Sequence, residues 1–210
     1  MQKETKILLG IIAIIVAGMI GLFVVFNGSG TTTTADNAKL VREDSQKEGT
    51  GSIQLVEFGD YQCPSCGAAH PTTKKLLQEF DGKITFVFRN FPLESIHKNA
   101  MPAAKYAQAA AKQNKFWQMH DKLFEAQQEW SDLPNPANKF AEYAKELGMN
   151  ADQLKTDAAA ATVADYISRD MADGNALGVT GTPTFFVDGK QLANSNYESI
   201  KSAIEAAQKK

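Results

Sequence analysis

The feature that most constrains the fold of this chain is a pair of cysteines, Cys63 and Cys66, placed directly after a short apolar run. Residues 53–58 (IQLVEF) have the length and composition of a buried strand. Pro64 follows Cys63, and proline is preferred at the first position of a helix because the N–H that it lacks would be unpaired there. The sequence therefore predicts a strand, a turn and a helix as far as Phe80, with Cys63 at the helix N-cap.

Further segments complete an α/β pattern. Residues 84–88 (ITFVF) predict a second buried strand, parallel to the first because a helix connects the two. Residues from about 98 to 177 are almost entirely helical in character and have the length of four or five helices. The turn Asp188-Gly189 between two apolar runs predicts a hairpin, and residues 196–210 predict a closing amphipathic helix. Pro71 predicts a kink or a break in the first helix.

The N-terminal segment predicts a membrane anchor. Residues 7–26 contain no charged or strongly polar side chain, and at about 1.5 Å per residue they span roughly the 30 Å hydrocarbon core of a bilayer. A cleaved secretory signal is the alternative, but its apolar region is normally shorter and ends in a small-residue cleavage site. Lys3 and Lys6 precede the span, so the positive-inside rule places residues 1–6 in the cytoplasm and the rest of the chain outside it.

Composition sets the remaining boundaries. Residues 27–49 are rich in Gly, Ser, Thr and charged side chains and predict a flexible linker, which leaves residues 50–210 as the folded domain.

The formal net charge is only −2 and no long basic run occurs. A nucleic-acid partner is therefore excluded, because it would require a basic surface.

The spacing C-x-x-C beside a β-α-β pattern is a redox signal with a physical basis. A thiolate at a helix N-terminus meets unpaired backbone N–H groups and the positive end of the helix dipole, so Cys63 is the expected nucleophile. Cys66, one turn further on, is placed to resolve a mixed disulfide. The alternatives are a small stabilising disulfide and a metal site in which Cys66 and His70, at i and i+4, share a helix face. Because no second cysteine pair is present to complete a structural zinc site, we expect no bound metal.

Two further features point to the same place. Glu57 lies in the first strand, six residues before Cys63, where its carboxylate would be at least partly buried. It is either a tolerated polar residue at a strand edge or a proton acceptor for Cys66, and burial would raise its pKa to suit that task. Thr182-Pro183 precedes a buried strand, which indicates either a strand-initiating proline or a cis bond.

From about residue 53 to residue 207 the chain resembles the DsbA-like branch of the thioredoxin superfamily. The resemblance rests on LVEFGDYQCPSC (55–66), FRNFPL (88–93) with His97 soon after, FWQMHDKLF (116–124) and GVTGTPTFFVDGK (178–190). It implies a thioredoxin-like α/β fold, with the helical stretch at about 98–177 inserted between the second and third core strands.

The resemblance also implies roles for individual residues. Cys63 is implied to be the exposed nucleophile, Cys66 the resolver and Glu57 a buried acid. Thr182 and Pro183 are implied to form a cis-proline loop that presents the Thr182 backbone to an incoming substrate as an edge to pair with.

The residues between the cysteines, Pro64 and Ser65, are expected to tune the pair. Strongly oxidising members of this branch have histidine just before the second cysteine, where this chain has Ser65. A serine hydroxyl donates one hydrogen bond but carries no charge. His97 and His120 are interpreted as structural or surface residues.

The sequence thus predicts an extracytoplasmic thiol:disulfide oxidoreductase, held in the cell membrane by a single span, that introduces disulfides into reduced exported proteins through Cys63 and Cys66. A membrane-embedded redox partner is expected to recycle the disulfide, and no cofactor is expected beyond the Cys63–Cys66 pair. A reductase or isomerase is the alternative within the same chemistry. A thiol-based metal-binding chaperone is the alternative from another class.

Overall fold

A mixed five-stranded sheet organises the computed structural model, which describes residues 36–209. The strands lie in the order β1-β3-β2-β4-β5, and β2 and β3 are parallel whereas the other neighbouring pairs are antiparallel. The parallel pair is the one predicted from the helical connection. The strands are β1 (Gln46–Glu48), β2 (Ile53–Gly59), β3 (Ile84–Asn90), β4 (Thr184–Val187) and β5 (Lys190–Gln191).

Helices surround this sheet, and most of them are inserted between β3 and β4, as predicted. Within the described residues the insertion contains six helices rather than four or five. The helices are α1 (Asn37–Leu40), α2 (Pro64–Glu79), α3 (Ala100–Ala111), α4 (Phe116–Glu125), α5 (Gln127–Trp130), α6 (Ala137–Glu146), α7 (Ala151–Ala158), α8 (Ala161–Ala176) and α9 (Tyr197–Ala207).

Both faces of the central strands are buried, which explains why β2 and β3 read as nearly continuous apolar runs. Side chains alternate between the faces with a period of two. Leu55 and Phe88 belong to the larger core beneath α2 and the inserted helices, whereas Val56 and Phe58 belong to a smaller core shared with Leu40. Because Glu57 has the same parity as Leu55, the alternation directs its side chain toward the larger core.

The predicted hairpin turn is confirmed, and of the kink or break predicted at Pro71 the break is absent. Asp188 and Gly189 connect β4 and β5 with φ of 44° and 81°, the left-handed conformations that a two-residue hairpin turn of type I′ requires. Asn196 caps α9 by accepting a hydrogen bond from the Ser199 N–H at 2.9 Å. Helix α2, however, continues through Pro71 without a break.

The predicted flexible linker over residues 27–49 differs from the structure in its second half. Residues 36–49 contain α1 and β1, and β1 pairs with β3 as an edge strand. Leu40 is fully buried in the smaller core, which offsets part of the entropy lost on ordering this segment. The folded domain therefore begins by Asp36 rather than at residue 50, and residues 27–35 lie outside the described residues.

The predicted anchor at residues 7–26 also lies outside the described residues, as does the predicted cytoplasmic segment at 1–6. Within residues 36–209, none of the helices has both the length and the apolar character needed to cross a bilayer.

A buried charge cluster fastens the N-terminal segment to the sheet and to α8. Arg89 and Asp170 are both fully buried, and Arg89 Nε donates to Asp170 Oδ1 at 2.7 Å. Asp170 Oδ2 also accepts from the backbone N–H and the side chain of Asn90, at 2.9 and 2.8 Å. Arg42 pairs with Asp170 at 2.7 Å, and Arg89 Nη1 donates to the Leu40 carbonyl at 2.7 Å. Because each charge has several partners, the cost of desolvation is offset.

The Asp170 cluster generates a stability prediction. We expect Asp170→Asn to lower the free energy of unfolding by roughly 3–5 kcal/mol, because it removes the buried carboxylate that Arg89 and Arg42 share and leaves the buried Arg89 only the partly exposed Asp173 as an acidic partner. Arg169→Gln is the matched control, since Arg169 is the next residue along α8 and its pair with Asp44 is exposed on both sides. Its effect should stay below about 1 kcal/mol. Urea denaturation measures both values, and equal effects would contradict this account.

Candidate active site

Cys63 occupies the N-cap of α2, as predicted. Its backbone is extended, with φ of −68° and ψ of 121°, and Pro64 is the first helical residue. The Cys63 carbonyl accepts the first intrahelical hydrogen bond, from the Gly67 N–H at 3.1 Å. The Cys63 sulfur consequently lies where the free N–H groups of the first turn point outward.

Several donors converge on the Cys63 sulfur and lower the pKa of this thiol to about 5. The largest contribution is a hydrogen bond from the Cys66 thiol, and the backbone N–H groups of Cys66 and Ser65 also contribute. Burial opposes ionisation. So does the Thr182 carbonyl, which accepts from the protonated sulfur at 3.4 Å. The donors outweigh both, and Cys63 is therefore a thiolate at neutral pH.

Cys66 has the opposite character. It is fully buried, and burial, the hydrogen bond to Cys63 and the charge of Glu57 raise the pKa of its thiol well above the ordinary value. Its sulfur accepts a long hydrogen bond from the Asp60 backbone N–H at 3.5 Å. The two cysteines are both free thiols. One is thus poised to react and the other is held protonated beneath it.

The prediction of an exposed nucleophile is corrected in one respect. Cys63 retains only 7% exposure, because its sulfur lies in the angle between α2 and the Thr182–Pro183 loop. The two intervening residues, Pro64 and Ser65, are the exposed part of the motif.

Glu57 lies in the middle of β2 and is 3% exposed, so the predicted buried carboxylate is present. Burial and the nearby charge of Cys63 raise its pKa to about 8. Its charge also raises the pKa of Cys66, which shows that the carboxylate interacts with both sulfurs. A carboxyl group that titrates near neutral pH beside a buried thiol is suited to proton transfer.

The Thr182–Pro183 bond is cis, and β4 begins directly after it at Thr184. The Thr184 hydroxyl donates to the Gly181 carbonyl at 2.7 Å and fixes the loop at its C-terminal side. The structure therefore brings the Thr182–Pro183 loop to Cys63 across a separation of 119 residues.

Sequence reasoning missed the role of Asp60, a fully buried carboxylate just before the motif. Its Oδ1 accepts from the Gln62 N–H at 2.7 Å, and its Oδ2 accepts from the Leu93 N–H at 2.9 Å. His97 Nδ1 lies 2.7 Å from the same Oδ2. Asp60 therefore ties the cysteine loop to the loop after β3. Asp60 lies within one of the segments that carry the family resemblance (55–66), and His97 follows another (88–93). This joint occurrence was the sequence signal for their contact.

Gln127, at the start of α5, is the second missed residue. Its Nε2 donates to the carbonyls of Tyr61 and Cys63 at 2.7 and 2.9 Å. Glycine at position 67 leaves room for this amide, because a Cβ there would lie 2.7 Å from Gln127 Oε1. Gln127 thus holds the cysteine loop in the shape that directs its N–H groups at the sulfur.

The potential metal ligands do not form the set considered from the sequence. Within residues 36–209, the one cluster of at least three such groups consists of His70, His120 and Asp121. Cys66 is not part of it. A metal site shared by Cys66 and His70 therefore has no third ligand among the described residues.

Comparison with known proteins agrees with this geometry. A family model described as Thioredoxin matches residues 50–206. Among curated proteins, the chain is 37% identical over 156 residues to a Na(+)/H(+) antiporter, NhaA 1, of Salinispora arenicola. The match covers 74% of this chain but only 23% of that antiporter. The chain thus spans less than a quarter of this relative, and the similarity concerns one region of it.

Solved structures of similar proteins have the same fold. A thioredoxin-like oxidoreductase from Silicibacter pomeroyi has a TM-score of 0.72 and 26% identity, covering 84% of this chain and 99% of that one. Oxidised BdbD from Bacillus subtilis has a TM-score of 0.71 and 28% identity, covering 79% and 94%. The thiol-disulfide exchange protein alpha-DsbA2 from Wolbachia pipientis, at 22% identity, has a TM-score of 0.69 and covers 81% and 91%.

The donors at Cys63 generate a pH prediction. In the reduced protein we expect the thiolate absorbance near 240 nm to appear with a midpoint near pH 5, because the folded state stabilises the ionised sulfur. The pKa of Cys63 in the folded protein lies below the ordinary value of 9.0. Between the two pKa values the unfolded chain therefore carries a proton on Cys63 that the folded chain has lost. The reduced fold should therefore gain stability as pH rises through this window and lose it as pH falls toward 5. Cys63→Ser should abolish the absorbance step, and a wild-type midpoint above pH 8 would contradict the proposed site.

Proposed function

We propose that this chain, which belongs to the thioredoxin family and is a DsbA-like thiol:disulfide oxidoreductase, works as an oxidase that introduces disulfides into exported proteins. The observation that carries the proposal is the low pKa of Cys63 beside the high pKa of Cys66. The thiolate exists only in the reduced form, so contacts that stabilise it favour reduction of the Cys63–Cys66 disulfide. Such a disulfide oxidises other dithiols.

The reaction consists of two exchanges. A substrate thiolate attacks the Cys63 sulfur, the Cys63–Cys66 bond breaks, and the electron pair leaves on Cys66. A second substrate thiolate then attacks the substrate sulfur of the mixed disulfide, and Cys63 leaves as a thiolate. Two substrate thiols are oxidised and one protein disulfide is reduced. The low pKa of Cys63 makes it the better leaving group in the second exchange.

Glu57 is proposed to move the proton of Cys66. When the Cys63–Cys66 bond breaks, the Cys66 sulfur is released as a buried thiolate. Because the pKa of this thiol is raised, the sulfur takes up a proton in that step. With a pKa of about 8, the Glu57 carboxyl group is protonated in most molecules at neutral pH and can supply it. In the reverse direction, reoxidation of the dithiol, the Glu57 carboxylate accepts the proton again.

Thr182 and Pro183 are proposed to bind the substrate. The Thr182 carbonyl lies 3.4 Å from the Cys63 sulfur, so a peptide bonded to that sulfur passes directly alongside this backbone. Pairing of an extended substrate with a backbone edge gives affinity without demanding a particular sequence. Pro64 and Ser65 lie exposed beside the same opening and are proposed to tune the reactivity of the pair.

Localisation follows from the sequence. Residues 7–26 are proposed to anchor the chain in the cell membrane, with the N-terminus in the cytoplasm and the catalytic domain outside it. A membrane-embedded redox partner at that surface would remove electrons from the dithiol after each cycle. The redox-active group is the cysteine pair itself, and the proposed reaction needs no bound cofactor.

The direction of catalysis is tested by equilibration with glutathione. We expect a reduction potential well above that of thioredoxin, which is about −270 mV. The oxidised protein should also promote refolding of a reduced, unfolded test protein that contains disulfides. Cys63→Ser is the inactive control. A potential at or below the thioredoxin value would assign the chain to reductases instead.

Glu57 yields a kinetic prediction. We expect Glu57→Gln to slow the steps in which Cys66 gains or loses its proton by about 100-fold, the usual lower range for a positioned proton-transfer group. In stopped-flow reoxidation of the dithiol, the wild-type rate should rise with a midpoint near pH 8, and the variant should lack this rise. Glu48→Gln is the matched control, because Glu48 is also a carboxyl group with a raised pKa, but it is only half-buried and lies on edge strand β1. An unchanged pH profile in Glu57→Gln would exclude this role.

A further inference from the structure

We propose that His70, His120 and Asp121 form a zinc-binding site distinct from the cysteine pair. One potential ligand atom from each residue lies within 4.8 Å of the others, and His70 Nε2 is 3.5 Å from Asp121 Oδ1. Ligand atoms bound to one tetrahedral zinc ion at about 2.0–2.1 Å lie about 3.4 Å from each other. The His70–Asp121 separation is close to this value, and the other ligand atoms lie at most 4.8 Å apart.

Two of the three ligand atoms lack the partner that a buried polar atom needs. His70 Nε2 and Asp121 Oδ1 are both buried and have no hydrogen-bond partner among the described residues. The His70 side chain is only 6% exposed. Buried polar atoms are nearly always bonded, and these two face each other at a distance too long for a good hydrogen bond. A cation between them would satisfy both.

The fold supplies the surroundings of a metal site. His70 lies on α2, and His120 and Asp121 are adjacent on α4, so an ion would join the two helices. The ring of Phe124 stacks on His70 at 5.2 Å, and the ring of Phe88 meets His120 edge-on at 4.6 Å. These aromatic rings lower the local dielectric constant, which strengthens the bonds between a cation and its ligands.

Neighbouring polar groups orient two of the ligands. The Tyr61 hydroxyl lies 3.0 Å from His120 Nδ1, so in the tautomer that donates from Nδ1 the other ring nitrogen has a free lone pair. Lys74 Nζ donates to Asp121 Oδ2 at 2.7 Å and leaves Oδ1 available. Ligating histidines and carboxylates in metal sites are held by outer partners of this kind.

The charge of the site suits a divalent cation. Both imidazole side chains, His70 and His120, are buried, and the neutral imidazole is the form that binds metals. Lys74 is the cationic group that faces the cluster, and it opposes a metal ion. The carboxylates of Asp121, Glu48 and Glu125 all interact with Lys74 and supply three negative charges against its one. The net negative charge of these side chains therefore favours a bound cation.

The test uses the full chain with Cys63→Ser and Cys66→Ser, so that no thiolate competes for metal and the result does not depend on the redox function. Isothermal titration with Zn²⁺ should show one site per chain. Asp121→Asn and His70→Gln should each weaken binding by at least about 100-fold, since loss of an outer partner alone costs about 10–100-fold. His97→Gln is the matched control, because His97 is the one of the chain's three histidines that lies outside the cluster. It should bind zinc as tightly as the parent.

Two further readouts separate loss of binding from loss of fold. Zn²⁺ should raise the melting temperature of the parent and of His97→Gln but not that of the two cluster variants, whose metal-free melting temperatures show that they are folded. Co²⁺ should give the visible absorption bands of a tetrahedral nitrogen and oxygen site. Absence of stoichiometric zinc binding, or equal affinity in the parent and in folded Asp121→Asn, would overturn the proposal.

Discussion

The structure depends on the convergence of hydrogen-bond donors at the Cys63 sulfur. A helix N-terminus leaves backbone N–H groups unpaired, and here the first of them point at a side chain whose ionised form they stabilise. The adjacent Cys66 thiol adds the largest single contribution. The same arrangement that makes Cys63 reactive keeps Cys66 protonated, because only one of two contacting sulfurs ionises readily. The two cysteines thus differ in thiol pKa because they occupy different positions on one helix.

The rest of the domain holds this arrangement in place. Strand β2 delivers Glu57 into the core beneath the motif, and β4 begins where the Thr182–Pro183 loop reaches the sulfur. Asp60 and Gln127 fix the backbone of the cysteine loop from two sides through partly buried hydrogen bonds. A loop held by so many contacts keeps its donors aligned through the cycle, which electrostatic stabilisation of a developing charge requires. The inserted helices therefore contribute to chemistry as well as to the core.

The sequence predicted those parts of the structure whose determinants are local. The N-cap at Cys63 follows from the proline after it, and the β4–β5 turn follows from Asp188-Gly189. Strand β1 was missed because its three residues, Gln46–Glu48, are all polar and it is formed by pairing with β3 rather than by its own pattern. The bonds from Asp60 to Leu93 and His97 and the contact between Arg89 and Asp170 join residues 33 to 81 positions apart. No local periodicity encodes such contacts.

The central claim is that Cys63 exchanges disulfides with exported proteins, and trapping the intermediate in intact cells tests it most directly. In full-length Cys66→Ala the resolving thiol is absent, so mixed disulfides with substrates should accumulate on Cys63 and appear on non-reducing gels. The account predicts that the captured proteins are exported, contain cysteine pairs, and are released by reductant. The double variant lacking both cysteines should capture none. Capture of cytoplasmic proteins alone, or no capture while the folded variant is present in the membrane, would contradict the account.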